Sequence, residues 1–431
     1  MFKNHLFVTI LFTLLISVIL AACGPFKKLR GNLKFMERSS IVTVKLTNSG
    51  TFENIKGVII EYEPRSHIIR SVDYTKVNDV GVFGFFVVSS SNQYVMAYSD
   101  QNKNEHYDRG ESAWIASDAQ GEPAPVDFDA STHKAKLSGA LSRTAKIPDY
   151  LMGDLKRFQQ GRSRDEVISK LSIPIALGEI GDLDSPRFSA KRGESGLWEP
   201  AGFPIHSGIG VYFLEKYQPA KTPVLFVYGA AGSPQDWKTF FAQMDRKKYQ
   251  PWFFYYPTGR RLDEMGEALN TAVKSLHGHY HFKRLHVVAH SMGGMVARSF
   301  VVKNVEEDHQ TYIQKLVTIS TPWGGHEAAQ MGVKHSPQVV PSWRDMAAGS
   351  LFQKQLYGHQ LHGRVEHLLI YGDEGKRSLL IPGDNDGTVS VASETYAPVF
   401  KHATRTLKVH ATHTSILSKP EVIRAVEEFL K

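Results

Sequence analysis

The C-terminal half of this chain alternates between two kinds of apolar pattern, and that alternation restricts its fold more than any other feature. VLFVYG (224–229), PWFFYYP (251–257), RLHVVAH (284–290), KLVTIS (315–320), HLLIYG (367–372) and TRTLKVH (404–410) are short, continuous apolar runs. Runs of this kind belong to strands buried on both faces. Between them, Leu262, Met265, Leu269, Val273 and Leu276 recur at helical spacing, as do Met295, Val296 and Phe300. The alternation predicts an α/β domain: a mostly parallel sheet with right-handed crossovers and helices on both sides.

The first third reads differently. IVTVKL (41–46), GVIIEY (57–62), IIRSVDYTKV (68–77), GVFGFFVV (81–88) and QYVMAYS (93–99) are short β-rich runs separated by turn residues. They predict a small all-β sandwich over 41–135, whose surface is free to engage a partner. Residues 136–215 read as a connector, with a short helix over 148–159, that packs on a domain spanning 216–431; Trp198 and GVYFLE are too apolar for a free linker. A chain of 431 residues has room for both cores. Its net charge of +8 is spread without a basic block or nucleic-acid module, which argues against nucleic acid and suits an anionic membrane surface.

The chain opens with Lys3 and an apolar stretch over 6–22 that is short for a membrane span, the form of a secretory signal peptide over 1–22. The only cysteine, Cys23, follows Leu20, Ala21 and Ala22. LAAC resembles the lipobox of bacterial lipoproteins, which implies a lipid-modified Cys23 as the mature N-terminus and a membrane anchor. In that family sorting reads the next residue. Gly24 is not the aspartate of inner-membrane retention, so an outer membrane is favoured where the cell has one. Residues 23–40, with Lys27, Lys28, Arg30, Lys34 and Arg38, then read as a lipidated tether beside anionic headgroups.

At the end of the third C-terminal apolar run stands AHSMGG (289–294), directly before a helical pattern. It resembles the nucleophile elbow of the α/β-hydrolase superfamily, with Ala289 in place of the first glycine of G-x-S-x-G. Upstream, YGAAGSPQDW (228–237) resembles the HGxxG segment of bacterial lipases and esterases, with Tyr228 where histidine is usual. Downstream, GDNDGTVSVAS (383–393) resembles the acid loop and KVHATHTSIL (408–417) the final histidine loop of the same superfamily. The order Ser291, Asp386, His413 is that superfamily's order. The resemblance implies an α/β-hydrolase fold preceded by the sandwich, and a lipase- or esterase-type serine hydrolase. It assigns Ser291 as nucleophile, His413 as base, Asp386 as acid, and the Ala230 and Met292 N–H groups as the oxyanion hole.

Several choices remain open at this level. His410 and His402 compete with His413; His410 ends a strand and is expected to point into the structure. Asp373 and Asp384 compete with Asp386, which the Asp-Gly-Thr-Val context favours. His290 is expected to pack. The apolar insertion over 326–360 suits either a lid over an acyl chain or a packed helix pair. Serine hydrolase chemistry needs no cofactor. In the β-rich region, Asp100, Asn102, Asn104, Asp108 and Glu111 fall on positions 1, 3, 5, 9 and 12 of a calcium loop, with Glu105 where glycine is usual, so a structural calcium and a plain polar turn both fit. The fold and triad leave ester hydrolysis beside acyl transfer or amide hydrolysis, and beside an inert binding lipoprotein.

Overall fold

The computed structural model describes residues 24–47, 52–65, 68–87, 92–104, 107–151, 175–361, 363–375 and 381–431. The segment 1–22, Cys23, Glu105 and most of the 148–159 helix lie outside the described residues.

The N-terminal part carries β1 (Ser40–Leu46), β2 (Ile55–Glu63), β3 (Ile68–Lys76), β4 (Val82–Val87), β5 (Gln93–Ser99), β6 (Ala113–Ile115) and β7 (Lys134–Gly139). β1 alternates strictly, burying Val42, Val44 and Leu46 on one face and leaving Ile41, Thr43 and Lys45 half-buried on the other. It pairs antiparallel with β4 and parallel with β7, while β3-β2-β5-β6 form a second, antiparallel sheet. The two sheets share a core that includes Val42, Val44, Phe83, Phe85, Ile59 and Val95. The second sheet also buries its far face, where Val58, Ile60, Met96 and Tyr98 pack with Leu151, Ala145 and Ile147. The chain beyond residue 135 therefore still covers this sheet.

The C-terminal part is built on one eight-stranded sheet: β8 (Ile175–Ile180), β9 (Ile209–Phe213), β10 (Thr222–Val227), β11 (Tyr249–Tyr255), β12 (Leu285–His290), β13 (Ile313–Ile319), β14 (Glu366–Gly372) and β15 (Arg405–Val409). The order is β15-β14-β13-β12-β10-β11-β9-β8. β10 to β15 are parallel, β9 runs antiparallel to β11, and β8 lies parallel to β9. Leu225, Phe226, Val287, Val288, Val317 and Leu368 are fully buried at its centre, as strands covered on both faces require. One expectation is corrected. The supposed connector supplies two strands of this sheet: Tyr212 and Phe213 of β9 stack on Phe253 and Trp252 of β11, and β8 pairs with β9.

A second correction concerns the tether. Residues 24–38 are helical, and this helix is docked instead of free. Leu29 is fully buried against Leu197 and Val340, and Phe26 meets Trp198 edge to face. The Asn32 carboxamide oxygen accepts the Ala201 and Gly202 N–H groups at 3.0 and 2.8 Å, and Lys28 reaches Glu199 at 2.9 Å. At the other end Phe35 touches Phe86 of β4. The basic residues are solvated; the apolar ones at intermediate spacing are the contact face.

The insertion between β13 and β14 folds as the helices Glu327–His335, Pro341–Met346 and Leu351–Gly358. Asp345, 1% exposed, fixes it: its carboxylate accepts from Arg261 at 2.9 Å and from the Leu262 N–H at 2.8 Å.

Replacing Leu29 by alanine removes a filled contact and is expected to lower the unfolding free energy by about 2–5 kcal/mol. Denaturant melts of the full chain check this, and a variant as stable as the parent would mean that the helix is only loosely attached.

Candidate active site

The strand β12 ends in a turn that a serine adopts only under constraint. Ser291 has φ 54° and ψ −134°, between β12 and the helix Met292–Val302. A side chain in this region strains the backbone, and close packing behind the turn holds it there. A Cβ on Gly293 would overlap the Tyr228 and Val227 carbonyl oxygens, so the helix approaches β10 as closely as glycine allows. The Ser291 N–H donates to Ile319 at 2.8 Å, fixing the turn to β13. Ser291 Oγ is thereby held at the C-terminal edge of the sheet.

Two loops from the following strands close on it. His413 Nε2 lies 2.9 Å from Ser291 Oγ, and His413 Nδ1 lies 2.5 Å from Asp386 Oδ2. The acid fixes the tautomer: Nδ1–H donates to the carboxylate, so Nε2 presents a lone pair to the serine hydroxyl. Asp386 is fully buried. Burial pushes its carboxyl up, but the bond and charge of His413 and the Val389 and Thr388 N–H groups outweigh this and hold it below the usual range. The His413 N–H also donates to the Asp386 carbonyl at 2.8 Å, tying the two loops through their backbones.

The loop after β10 completes the site. Gly229 lies against Ser291, since a Cβ there would sit 2.7 Å from the serine Cβ. The Ala231 N–H is occupied by Thr258 Oγ1 at 3.1 Å, whereas the Ala230 and Met292 N–H groups donate to no described residue. Tyr228 explains the missing histidine. Its hydroxyl donates to the Tyr256 carbonyl at 2.7 Å and accepts the Tyr256 N–H at 2.8 Å, while the Tyr256 hydroxyl donates to the Tyr228 carbonyl at 2.7 Å. This reciprocal pair staples the loop to the end of β11, and burial keeps both phenols protonated.

The competing residues lie elsewhere. Asp373 binds Lys408 at 2.8 Å and the Gly375 N–H at 2.9 Å. Asp384 is exposed, and so are His402 and His410, the latter against the expectation that it points inward. His290 is buried as expected and does more than pack, because its Nε2–H donates to the His413 carbonyl at 2.8 Å. Burial, with His413 beside it, pushes its imidazole down to about 3, so it stays neutral. Glu394 carried no sequence signal. It is 1% exposed and accepts the Gly372 N–H at 3.2 Å; burial and the neighbouring Asp386 hold its carboxyl well above the usual range. In its protonated form Glu394 can donate to Asp386. His326, also missed, caps the helix Glu327–His335 by accepting the Ala329 N–H, close enough to feel His413.

Of the two readings of the Asp100–Glu111 loop, its internal hydrogen bonds favour the plain polar turn. Glu111 spends its two oxygens on the Gln101 and Asp108 N–H groups, both at 3.0 Å. Asp100 accepts the Asn104 N–H at 3.1 Å, and the Asn102 and Asn104 side-chain amides donate to Asp108 at 2.6 and 2.7 Å. Amide N–H groups point where a cation needs oxygen lone pairs. Among the described residues no group of three His, Cys, Asp or Glu is placed to hold a metal.

Comparison with known proteins agrees with the topology. Residues 258–431 match a family described as an alpha/beta hydrolase of unknown function (DUF915). Among solved structures, the chain is similar to the mature lipase BlEst2 of Bacillus licheniformis at 20% identity, over 50% of this chain and 94% of that one, with a TM-score of 0.39. A gene product of Listeria innocua gives 16% identity over 49% and 94%, and lipase B of Aspergillus fumigatus 13% over 50% and 54%, each with a TM-score of 0.39. No curated protein sequence matches the chain. The strand order and the family match over residues 258–431 agree on an α/β-hydrolase fold for the C-terminal domain.

A buried neutral histidine makes stability depend on pH with a definite sign. His290 titrates near 6.5 when unfolded and at about 3 when folded, so the unfolded state binds the proton first as pH falls. Stability is complete above about pH 6.5 and declines as pH falls toward the folded value. In His290→Asn the slope of unfolding free energy against pH between about 4 and 6 is expected to shrink by up to one proton. Urea melts across that window measure it, and an unchanged slope would show that His290 takes up no extra proton on unfolding.

Proposed function

We propose that this protein is a membrane-anchored carboxylic ester hydrolase of lipase or esterase type. The observation that carries the reading is the continuous chain of contacts from Asp386 through His413 to Ser291, at 2.5 and 2.9 Å, beside two main-chain donors. Ser291 Oγ attacks the ester carbonyl carbon and its proton passes to His413 Nε2. Asp386 keeps the Nδ1 proton and stabilises the imidazolium. The carbonyl oxygen gains negative charge and is met by the Ala230 and Met292 N–H groups. Collapse breaks the ester C–O bond, His413 protonates the departing alkoxide, and an acyl-Ser291 remains. Water then gives a proton to His413 and attacks the acyl carbon; release of the carboxylic acid restores the serine.

Export and lipidation at Cys23 complete the proposal, with an outer membrane as the destination where there is one, on the grounds of the LAAC segment and Gly24. Two or three acyl chains hold a protein on a bilayer stably, whereas a single chain does not.

Turnover of a short activated ester should vanish in Ser291→Ala together with labelling by a fluorophosphonate. Asp386→Asn is expected to cost about 10⁴ in turnover through the wrong imidazole tautomer, while Asp373→Asn stays near the parent. A wild-type chain that neither labels nor turns over would favour an inert binding lipoprotein, and an Asp373 variant as dead as Asp386→Asn would move the acid. For the anchor, Cys23→Ser is expected to leave the signal uncleaved and to carry no lipid in a metabolic labelling experiment; lipid incorporated by that variant would refute the assignment.

A further inference from the structure

Between the two domains lies an open cavity of about 290 Å³ that Ser291, Asp386 and His413 do not line. One wall is the outward face of the three-stranded sheet, with Ile41, Val82 and Phe86; the other comes from β9 and the helix Leu262–Tyr280, with Ile209, Met265 and Ala272. The space follows from side-chain size. That helix turns Leu262, Leu269, Val273 and Leu276 into the hydrolase core and presents Ala268, Thr271 and Ser275 to the sandwich, too short to close the gap. The walls are carbon, so an open cavity of this kind leaves apolar surface wet until something apolar fills it.

The charges at its border are unequal. Arg260 is paired with Glu264 at 2.7 Å and Lys136 with Glu267 at 3.2 Å. Lys45 and Lys134 also line it, and among the described residues neither has a carboxylate partner. Lys45 is the telling one. It stands on the same face of β1 as Ile41 and Thr43, half-buried, with its ammonium donating to the Val80 carbonyl. Burial lowers its pKa, the mark of a cation that has lost water without gaining an anion.

We propose that this cavity is a binding site for a fatty carboxylate, its alkyl chain against Ile41, Phe86 and Met265 and its carboxylate on the Lys45 ammonium. The volume lies at the low end of small-molecule sites, which suits one alkyl chain. Carbon walls select the chain, and the uncompensated cation selects an acid over an alcohol of equal length.

Calorimetric titration of the full chain with decanoate and with decan-1-ol, both below aggregation, tests this. Decanoate is expected to bind saturably at one site and the alcohol about tenfold more weakly, the weight of one charge-assisted hydrogen bond. Ala268→Phe should abolish binding by filling the cavity, with Thr271→Trp at the more exposed rim as a second filling variant should the first fold poorly. Lys45→Met should reduce decanoate affinity about tenfold and leave the alcohol unchanged. No saturable binding would overturn the proposal. So would full binding by folded filling variants, which would place the ligand elsewhere, for example above Ser291, and so would equal affinity for acid and alcohol.

Discussion

Ser291 is held in a backbone conformation that costs about 1–3 kcal/mol for a residue with a side chain, and the active-site geometry depends on that turn being maintained. Its φ of 54° lifts the hydroxyl out of the line of β12. The neighbouring helix can start at once only because Gly293 lets it rest on the Val227 and Tyr228 carbonyls. The same carbonyl of Tyr228 is bound by the Tyr256 hydroxyl, so the loop that flanks the serine is positioned by the strand ends on which the helix rests. A rigid sheet edge, and not a loop of its own, sets where the reacting oxygen stands.

That edge also decides how charge is distributed. Asp386, Glu394 and His290 crowd the site, and their surroundings push their titrations apart. Asp386 stays ionised because three donors serve it. Burial and that same charge raise the Glu394 carboxyl well above the usual range, and His290 is kept neutral by burial. A second carboxylate beside Asp386 would compete for the imidazole; a protonated one supports it. A charged His290 would repel the imidazolium that the proposed proton transfer forms at His413, and a neutral one with its N–H on the His413 carbonyl holds the ring in place. The paired burial of these groups separates their protonation states, so a single base faces the serine.

The sequence carried the parallel strands and the three loops because both rest on local pattern: apolar runs buried on two faces, and small residues at fixed offsets around Ser291. Other features depend on partners distant in the chain. β8 and β9 are short and sit among Gly and Pro residues; Tyr212 and Phe213 of β9 stack on Phe253 and Trp252, and β8 joins the sheet by pairing with β9. Residues 24–38 read as a basic tether because five Lys and Arg residues dominate the segment and outweigh the helical spacing of Phe26, Leu29, Leu33 and Met36; the surfaces that the apolar residues fill are made by Trp198, Val340 and Phe86. The Asp100–Glu111 loop has the residue types of a cation site, but the same oxygens cap backbone N–H groups, and only geometry separates the two uses. Glu394 had no signal at all, since a buried acid is defined by what surrounds it.

The docked helix links these observations to the proposed anchor. Fifteen helical residues span roughly 22 Å, and this helix uses that length to join two surfaces: its first turns lie on Trp198, which meets Trp343 edge to face, and its last turn lies on Phe86 of the sandwich. Ala231, in the loop that flanks Ser291, packs on the same cluster as Leu29. A tether would let the catalytic domain tumble freely above a bilayer. A helix fixed at Leu29 and Asn32 does not, so lipid carried immediately upstream of Gly24 would bring the side of the molecule bearing Trp198, Trp343 and the oxyanion loop toward the membrane surface. If the proposed anchor holds, packing at the start of the chain orients the site to its proposed substrate, and a mutation that frees the helix should change turnover of an ester in lipid vesicles while leaving turnover of a short soluble ester intact.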